Sequence, residues 1–316
     1  MRDKSKKVVL VGTGMVGMSF AYAGLNQNIC DELVLIDIDK KRAEGEAMDL
    51  NHGLAFSGTS MKITAGDYEQ CRDADIAVIC AGVNQKPGES RLELLRRNAE
   101  VFKTIVDPVV RSGFSGIFLV ATNPVDIMTR ITYELSGFPP HRVIGTGTTL
   151  DTARLRYLLG GYFRLDPRNV HAYVIGEHGD SEFTPWSQAL LATKPVRKVL
   201  EDNPDKFFPE ELERISTEVK NAAEKIITAK RATYYGIGMA ISRIVRAILS
   251  DEQSVLTVSG RLRGEYGRKN VFIGNPCIIG AEGIDRTIEL SLESDELTKL
   301  HKSCDILDEC FRELEM

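Results

Sequence analysis

The sequence lacks several patterns that would assign it to a specialised class of protein. None of its apolar runs reaches the ~18 uncharged residues that a membrane-spanning helix needs. Residues 1–12 lead from a short basic segment into a strand-like run, without the apolar core and cleavage site of a secretory signal. Fixed-period repeats and low-complexity tracts are also missing. We therefore predict a cytoplasmic globular protein that does not contact membranes.

Basic residues and cysteines are present, but neither type forms a functional pattern. The net charge is −5 and the basic residues are dispersed, so no nucleic-acid-binding surface is expected. The six cysteines have scattered spacings without a C-x-x-C pair or a neighbouring histidine set, which predicts reduced thiols and no metal site. A length of 316 residues with a hydrophobic fraction of 43% favours two globular domains.

A glycine-rich loop follows the first apolar run. In residues 7–11 a lysine is followed by four consecutive apolar residues, which predicts a strand buried on both faces of a parallel sheet. The loop of residues 12–17 comes directly after it and opens a helical stretch at residues 16–25. Residues 32–36 predict a second strand, and Asp37 follows about 20 residues beyond the last glycine of the loop. Strand, glycine loop, helix and acid thus occur in the order typical of a dinucleotide-binding unit.

Each position of this loop has a physical role in holding a dinucleotide. Gly12 makes the tight turn, Gly14 lets a diphosphate approach the backbone, and Gly17 lets helix and strand pack closely. The diphosphate would lie on the amides at the helix N-terminus. Asp37 would bind the ribose hydroxyls and repel a 2′-phosphate, which favours NAD over NADP. The predicted cofactor-binding residues of this segment are Gly12, Gly14, Met15, Val16, Gly17 and Asp37.

Strand and helix patterns continue to alternate as far as Gly145. Further strands are predicted at residues 61–64, 76–81, 116–121 and 142–145. They bring the number of strands to about six, as in a doubly wound domain, and beyond Gly145 the alternation fades. We predict an α/β fold with a doubly wound parallel Rossmann sheet in residues 1–146, followed by a mixed α+β substrate and catalytic domain in residues 147–316.

Two segments follow predicted strands where ligands bind in open α/β sheets. Residues 82–91 are rich in glycine, proline and charge, and we interpret them as a mobile lid over the active site. Asn123 lies at the carboxyl end of a later strand, and Pro124 after it suits the first turn of a helix.

The chemistry is predicted at His178, in the run of residues 174–181. The apolar residues before it predict a strand, and the flanking glycines permit a sharp turn that would leave the imidazole facing a cleft. Asp151 and Arg154 are three residues apart on a predicted helix and share one face, whereas Arg156 points nearly the opposite way. Two alternatives remain: His178 could be a turn residue without catalytic function, and Asp151 and Arg154 could form an ordinary surface ion pair.

These motifs, in this order, resemble the L-lactate dehydrogenases over essentially the whole length of the chain. The resemblance is to the bacterial, allosterically regulated type, and it implies a homotetramer that uses NAD to interconvert pyruvate and L-lactate. The matching segments are 12–17 with Asp37, 84–91, 121–124, 150–154, 175–180 and 232–236.

The resemblance implies a role for each matching residue. His178 is the proton donor and acceptor, Asp151 its partner, and Arg154 the anchor of the substrate carboxylate. The remaining implied site residues are the lid arginine Arg91, the specificity residue Gln85, Asn123 beside cofactor and substrate, and Thr233 in the substrate pocket.

Gln85 separates the two closest activities. Related malate dehydrogenases carry an arginine at this position, which neutralises the second carboxylate of oxaloacetate. A neutral glutamine leaves that carboxylate unpaired, so pyruvate is favoured. Malate or another 2-hydroxy acid remains an alternative substrate, and a catalytically silent NAD-binding protein is an alternative of a different class.

Arg156 and His171 match the positions that bind the phosphates of fructose 1,6-bisphosphate between subunits in the regulated enzymes. We therefore predict this compound as an activator, with an exposed arginine and a strand-start histidine as the alternative reading. Arg231 departs from the family, since many relatives carry glycine there. The rest of the second half predicts helices at 211–231 and 295–314, and strands at 254–259, 271–273 and 287–292.

Overall fold

A computed structural model describes residues 5–83, 88 and 91–314, without the side chain of Arg91. Most of the predicted lid, including Gln85, therefore lies outside the described residues. The strands are β1 Lys7–Val11, β2 Glu32–Ile36, β3 Lys62–Ala65, β4 Ile76–Ile79, β5 Ile117–Val120, β6 Val143–Gly145, β7 Val170–His171, β8 Leu190–Leu191, β9 Lys194–Pro195, β10 Ser254–Arg263, β11 Lys269–Gly280 and β12 Gly283–Thr287. The α-helices are α1 Met15–Asn26, α2 Lys40–Leu54, α3 Arg91–Arg111, α4 Val125–Ser136, α5 Thr149–Phe163, α6 Val196–Asp202, α7 Pro209–Lys230, α8 Tyr235–Leu249 and α9 Ser294–Arg312.

The main sheet is parallel in the first half of the chain. Its strands run in the order β3-β2-β1-β4-β5-β6, and every neighbouring pair is parallel. This is the order of a doubly wound dinucleotide-binding sheet, so the predicted fold class is confirmed. The antiparallel strands β10, β11 and β12 extend the same sheet at β6, where Ser259 pairs with Gly145. The two halves of the chain are therefore joined by a continuous sheet.

The sheet is buried on both faces because its central strands are apolar at consecutive positions. In β1, Val9 and Val11 face one apolar core, whereas Val8 and Leu10 face a second core on the other side. Residues of a strand alternate between the faces of a sheet, so a strand covered on both sides is apolar at consecutive positions, as residues 8–11 are. The continuous apolar run that predicted β1 follows from this double burial.

The second half has a smaller core of its own. Apolar side chains from α5, α6 and α7 pack against β7 and β8 of a three-stranded antiparallel sheet, and Leu155, Leu159 and Val170 are completely buried. Within the part of the chain that the structure describes, no helix is both long and apolar enough to cross a membrane.

Three sequence predictions in the second half were wrong or incomplete. The run before His178 forms isolated bridges, Ile175 to Phe183 and Gly176 to Gly274, and not a strand. The last strand is β12, and most of the predicted span 287–292 lies outside it because backbone amides there bond elsewhere, as Leu290 does to the Tyr266 hydroxyl. Helix α8 was not predicted. It packs closely on α1, where a Cβ at Gly238 would lie 2.7 Å from the backbone of Ser19.

Candidate active site

The glycine loop between β1 and α1 is shaped by close backbone contacts. A Cβ at Gly12 would lie 2.5 Å from the amide nitrogen of Ala81, and one at Gly17 would lie 2.0 Å from the carbonyl oxygen of Gly12. Gly14, by contrast, has no described atom within 4 Å of the position that its Cβ would take, apart from its two chain neighbours. It is the N-cap of α1, and no described side chain caps this helix end. The loop therefore presents helix amides beside open space, which fits a bound diphosphate.

Asp37 closes the loop from the end of β2. Its Oδ2 accepts hydrogen bonds from the Thr13 amide at 2.8 Å and the Thr13 hydroxyl at 2.9 Å, and its Oδ1 accepts one from the Asp39 amide at 3.0 Å. Burial alone would raise the pKa of Asp37, but these hydrogen bonds outweigh it and lower the pKa. An ionised carboxylate thus stands beside the loop where a ribose would lie.

The carboxyl ends of β1, β4 and β5 meet at this loop. Gly12 touches Ala81 after β4, and the Thr122 hydroxyl donates to the Ala81 carbonyl at 2.7 Å. Asn123 follows and is exposed at the same edge of the sheet, immediately before Pro124 and α4. Met15 is also exposed, and Val16 is half-buried. The described cofactor-side residues therefore lie together, as ligand binding at the ends of parallel strands requires.

The predicted catalytic cluster is assembled around a buried carboxylate. Oδ2 of Asp151 lies 2.7 Å from Nδ1 of His178, and Oδ1 of Asp151 accepts a hydrogen bond from Arg154 at 2.8 Å. The exposed fractions of the side chains are 2% for Asp151, 14% for Arg154 and 26% for His178. The structure thus brings these three residues together, with the histidine as the most accessible of them.

Two further carboxylates, missed in the sequence, contact His178. Asp126 of α4 accepts a hydrogen bond from the His178 amide at 2.8 Å and another from the Ser259 hydroxyl. Burial raises the pKa of Asp126 to about 6. Glu182 is also buried, and its Oε2 lies 3.8 Å from Nδ1 of His178. The sequence signal for Glu182 is its position four residues after His178, whereas the contact with Asp126 spans 52 residues.

The segment that carries His178 is held from its far side by α9. The Glu177 amide donates to the Ser303 hydroxyl at 2.6 Å, and the hydroxyls of Ser181 and Ser303 are 2.8 Å apart. Ser303 is completely buried. The C-terminal helix therefore fixes this turn on both sides of the imidazole, although no motif in the sequence indicates it.

The electrostatic balance of the cluster favours a protonated imidazole. Burial lowers the pKa of His178, but the hydrogen bond to Asp151 and the charge of Glu182 outweigh burial and raise it well above its usual value. Burial would raise the pKa of Asp151, yet His178 and Arg154 together lower it. An ionised Asp151 bonded to an imidazolium is therefore the favoured state at neutral pH, poised for general acid catalysis.

Other predicted site residues have no described hydrogen bond to this cluster. On α5, Arg156 donates to the Ala172 carbonyl at 3.1 Å and lies over the Tyr173 ring at 5.2 Å from its centroid. His171, at the end of β7, is exposed. Thr233 is half-buried between α7 and α8, and no described hydrogen bond links it to His178. Gln85 and the side chain of Arg91 lie outside the described residues.

Comparison with known proteins identifies both halves of the chain. Residues 6–145 match the lactate/malate dehydrogenase NAD binding domain, and residues 148–315 match the lactate/malate dehydrogenase alpha/beta C-terminal domain. An L-lactate dehydrogenase of Geobacillus sp. (strain WCH70) is 54% identical over 306 residues, which cover 97% of this chain and 96% of the relative. An L-lactate dehydrogenase 2 of Bacillus cereus (strain ATCC 14579) is 50% identical over 309 residues, 98% of each chain.

Solved structures agree with these matches. A lactate dehydrogenase from a Medee basin deep-sea metagenome library superimposes with a TM-score of 0.97 at 51% identity, covering 99% of this chain and all of the other. The ligand-bound minor L-lactate dehydrogenase of Enterococcus mundtii gives a TM-score of 0.95 at 48% identity, covering 98% of each chain. The resemblance inferred from the motifs is confirmed at the level of the family: the chain belongs to the lactate/malate dehydrogenase family.

Proposed function

We propose that the protein is an NAD-dependent L-lactate dehydrogenase, which transfers a hydride reversibly between NADH and pyruvate. The observation that carries this proposal is the buried Asp151 carboxylate, bonded to His178 on one oxygen and to Arg154 on the other. One cluster thus joins a proton donor to a carboxylate-binding group. Relatives at 50–54% identity over nearly the full chain are named L-lactate dehydrogenases, which supports the same assignment.

In this function, His178 manages the proton. Its Nδ1 is bonded to Asp151, so the proton for the substrate comes from Nε2. During reduction, the protonated ring donates to the carbonyl oxygen at C2 of pyruvate as a hydride arrives at C2, and L-lactate forms. During oxidation, the neutral ring takes the hydroxyl proton back. Asp151 holds the Nδ1 proton in both directions and stabilises the imidazolium.

Arg154 anchors the substrate carboxylate. A guanidinium has five N–H donors in a planar fork, so one can bind Asp151 while others form a bidentate pair with the substrate. Asn123 at the end of β5 and Thr233 before α8 complete the proposed substrate site. Arg91 would enter with the lid, stabilise charge on the carbonyl oxygen and help to exclude water.

When the cofactor is bound, its reduced nicotinamide would supply the hydride for pyruvate reduction and its oxidised nicotinamide would accept the hydride from lactate. Gly12, Gly14 and Gly17, with Met15 and Val16, would hold the diphosphate at the start of α1, and Asp37 would hold the adenosine ribose. We also propose a boundary between the cofactor and substrate domains at residues 146 and 147, between β6 and α5.

Gln85 is proposed to select pyruvate over oxaloacetate, and substrate choice tests the assignment. The assay follows the loss of NADH absorbance with each substrate in turn. Pyruvate is expected to be preferred, and Gln85→Arg should raise oxaloacetate reduction relative to pyruvate because the new cation pairs with the second carboxylate. Gln85→Met, similar in length but uncharged, should keep the preference for pyruvate. A wild-type preference for oxaloacetate would contradict the assignment.

Arg156 and His171 are proposed to bind fructose 1,6-bisphosphate as an activator. Arg156 lines a cavity of about 280 Å³ together with Arg168 and Arg243, a concentration of cations that suits a phosphate. We expect the bisphosphate to increase pyruvate turnover in the wild type. The double change Arg156→Gln with His171→Gln should remove this increase, and the surface change Arg111→Gln should preserve it. An unchanged response in the double variant would exclude these residues as the site.

A homotetramer is proposed as the assembly. Several large apolar side chains of the described chain are more than half exposed, which is typical of surfaces that pack against another subunit. Four of them line one open pocket formed by α1 and the start of α8: Met15, Tyr22, Tyr235 and Met239. Light scattering from the purified protein should give the mass of four chains, and a monomer mass would refute the proposal.

A further inference from the structure

Glu182 is a buried carboxylate that the proton transfer described above leaves unused. Only 3% of the residue is exposed. Its Oε2 lies 3.8 Å from Nδ1 of His178, and Oδ2 of Asp151 lies 2.7 Å from the same nitrogen. One polar atom from each of these three residues falls in a group whose members all lie within 4.8 Å of one another. Two carboxylates therefore face one edge of a single imidazole.

The charged groups around Glu182 come from two elements. Helix α5 supplies Asp151 and Arg154, and the guanidinium of Arg154 is bonded to the Asp151 oxygen that does not face His178. The turn itself supplies His178. Glu182 is therefore in contact with the imidazole, and the charges of Asp151 and Arg154 also act on it.

The other elements around the turn contribute two ionisable side chains, Asp126 and Lys220, and one neutral side chain, Ser303. From α4, Asp126 bonds to the His178 amide on the backbone side of the turn. Ser303 of α9 is uncharged, and Lys220 of α7 donates to the Asp180 carbonyl at 3.2 Å. Burial raises the pKa of Glu182 to about 7, although its contact with His178 acts in the opposite direction. The charge of Glu182 therefore changes within the neutral pH range.

We propose that Glu182 is a positioning residue for His178, a second carboxylate that helps Asp151 to keep the imidazole protonated and oriented, so that pyruvate reduction extends to higher pH. This inference rests on the proposed function, because Glu182 acts only through His178. A negative charge about 4 Å from an imidazole favours the imidazolium. As the pH rises, ionisation of Glu182 adds this charge and delays the loss of the His178 proton.

The proposal fixes the direction of two pH profiles. Pyruvate reduction needs protonated His178, so kcat/KM for pyruvate falls as the pH rises through the pKa of His178. Lactate oxidation needs the neutral ring, so kcat/KM for lactate rises through the same ionisation. Removal of the Glu182 charge lowers the pKa of His178, and both profiles should therefore move to lower pH.

The first test measures the His178 ionisation without turnover. Diethyl pyrocarbonate acylates an imidazole in its neutral form but not in its protonated form. The pH dependence of enzyme inactivation by this reagent therefore reports the pKa of His178 in the full-length enzyme. Glu182→Gln should lower this pKa by about one unit. Glu182→Asp keeps the charge but moves it farther from the imidazole, so it should lower the pKa of His178 by a smaller amount. This variant serves as the test if the glutamine variant does not fold.

The control is Glu296→Gln, a change at another glutamate that is 3% exposed and bonded to Ser187, far from His178 in sequence. It should leave the pKa of His178 unchanged. The pH profiles of kcat/KM with pyruvate and with lactate then separate positioning from a structural role. A uniform loss of rate in Glu182→Gln, with both profiles at their wild-type pH, would overturn the proposal.

A failure of the proposed role of Glu182 can be distinguished from a failure of the proposed function by adding the variant His178→Asn. If His178 is not the proton donor, His178→Asn retains the wild-type rate and pH profile, and the role of Glu182 falls with it. If His178 is the donor but Glu182 does not position it, His178→Asn loses activity while Glu182→Gln keeps the wild-type pKa. Loss of activity in His178→Asn together with a lower His178 pKa in Glu182→Gln supports both the proposed function and the role of Glu182.

Discussion

The cofactor side and the catalytic side of the cleft differ in the groups that form them. On the cofactor side, backbone dominates: Gly12 and Gly17 lie in close contact with neighbouring main chain, and open space lies above Gly14. On the catalytic side, ionisable side chains dominate, with Asp151 and Glu182 buried beside one edge of His178. The first surface therefore offers shape and backbone amides to a ligand, whereas the second offers a balance of buried charges.

This difference predicts different responses to substitution. On the cofactor side, an added methyl group changes the space available to ligand or backbone, so binding and stability should respond while the chemistry stays intact. On the catalytic side, the loss of one charge leaves its buried partner uncompensated, which is costly in a low-dielectric site. Rate and pH dependence should therefore respond there, while cofactor affinity stays the same.

The largest effect is expected for His178→Asn. Loss of the proton donor should lower kcat/KM for pyruvate by about 10²- to 10⁴-fold. The affinity for NADH, followed by fluorescence titration, should stay near that of the wild type because the glycine loop is unchanged. His52→Asn, at an exposed histidine of α2, is the control and should keep full activity. An equal loss of NADH affinity in His178→Asn would contradict the separation of the two sides.

The same difference explains which parts of the site could be predicted from the sequence. The cofactor side was predicted because strand, loop and acid are contiguous, and because each glycine position has its own steric requirement. Asp151 and Arg154 were predicted as one helix face, and the structure joins them at 2.8 Å. In these cases the local spacing of residues determines the contact.

Contacts between distant segments could not be read from spacing. Asp126 reaches the His178 amide across 52 residues, and Ser303 reaches Glu177 across 126 residues. Neither residue lies in a motif, and a buried acid in the sequence looks like any surface acid. The strand predicted before His178 was wrong for a related reason, since Gly176 pairs with Gly274 in an isolated bridge that a distant strand supplies.

Effects of intermediate size are expected for two glycine substitutions on the cofactor side, which separate ligand binding from stability. Gly14 has φ −72° and ψ −175°, a conformation open to alanine, and its Cβ would meet no described atom within 4 Å. Gly14→Ala should therefore keep the melting temperature yet weaken NADH binding by roughly tenfold, about 1.4 kcal/mol, because the methyl group occupies the diphosphate space.

Gly17→Ala is the matched variant, since its Cβ would lie 2.0 Å from the Gly12 carbonyl oxygen. Overpacking of this kind costs about 1–3 kcal/mol, so the melting temperature should fall by several degrees. Calorimetry and NADH titration of both variants give the comparison. Equal affinity of Gly14→Ala and wild type for NADH would show that the open space does not hold the cofactor.

The smallest effect is expected at Arg231, two residues before Thr233. Arg231 ends α7 with φ +72°, in the left-handed region that favours glycine. Arg164 ends α5 in the same region, with φ +55°, and provides a matched site. Each change to glycine removes backbone strain but adds freedom to the unfolded chain, so we expect a net gain of about 0.5 kcal/mol.

Thermal unfolding should therefore show a rise of about 1–2 °C for both Arg231→Gly and Arg164→Gly. The two positions differ in their distance along the chain from Thr233, which follows Arg231 by two residues. The KM for pyruvate should consequently change only in Arg231→Gly, since that helix end leads directly into the proposed substrate pocket. A lower melting temperature in both variants would mean that the arginine side chains stabilise these helix ends more than the left-handed backbone strains them.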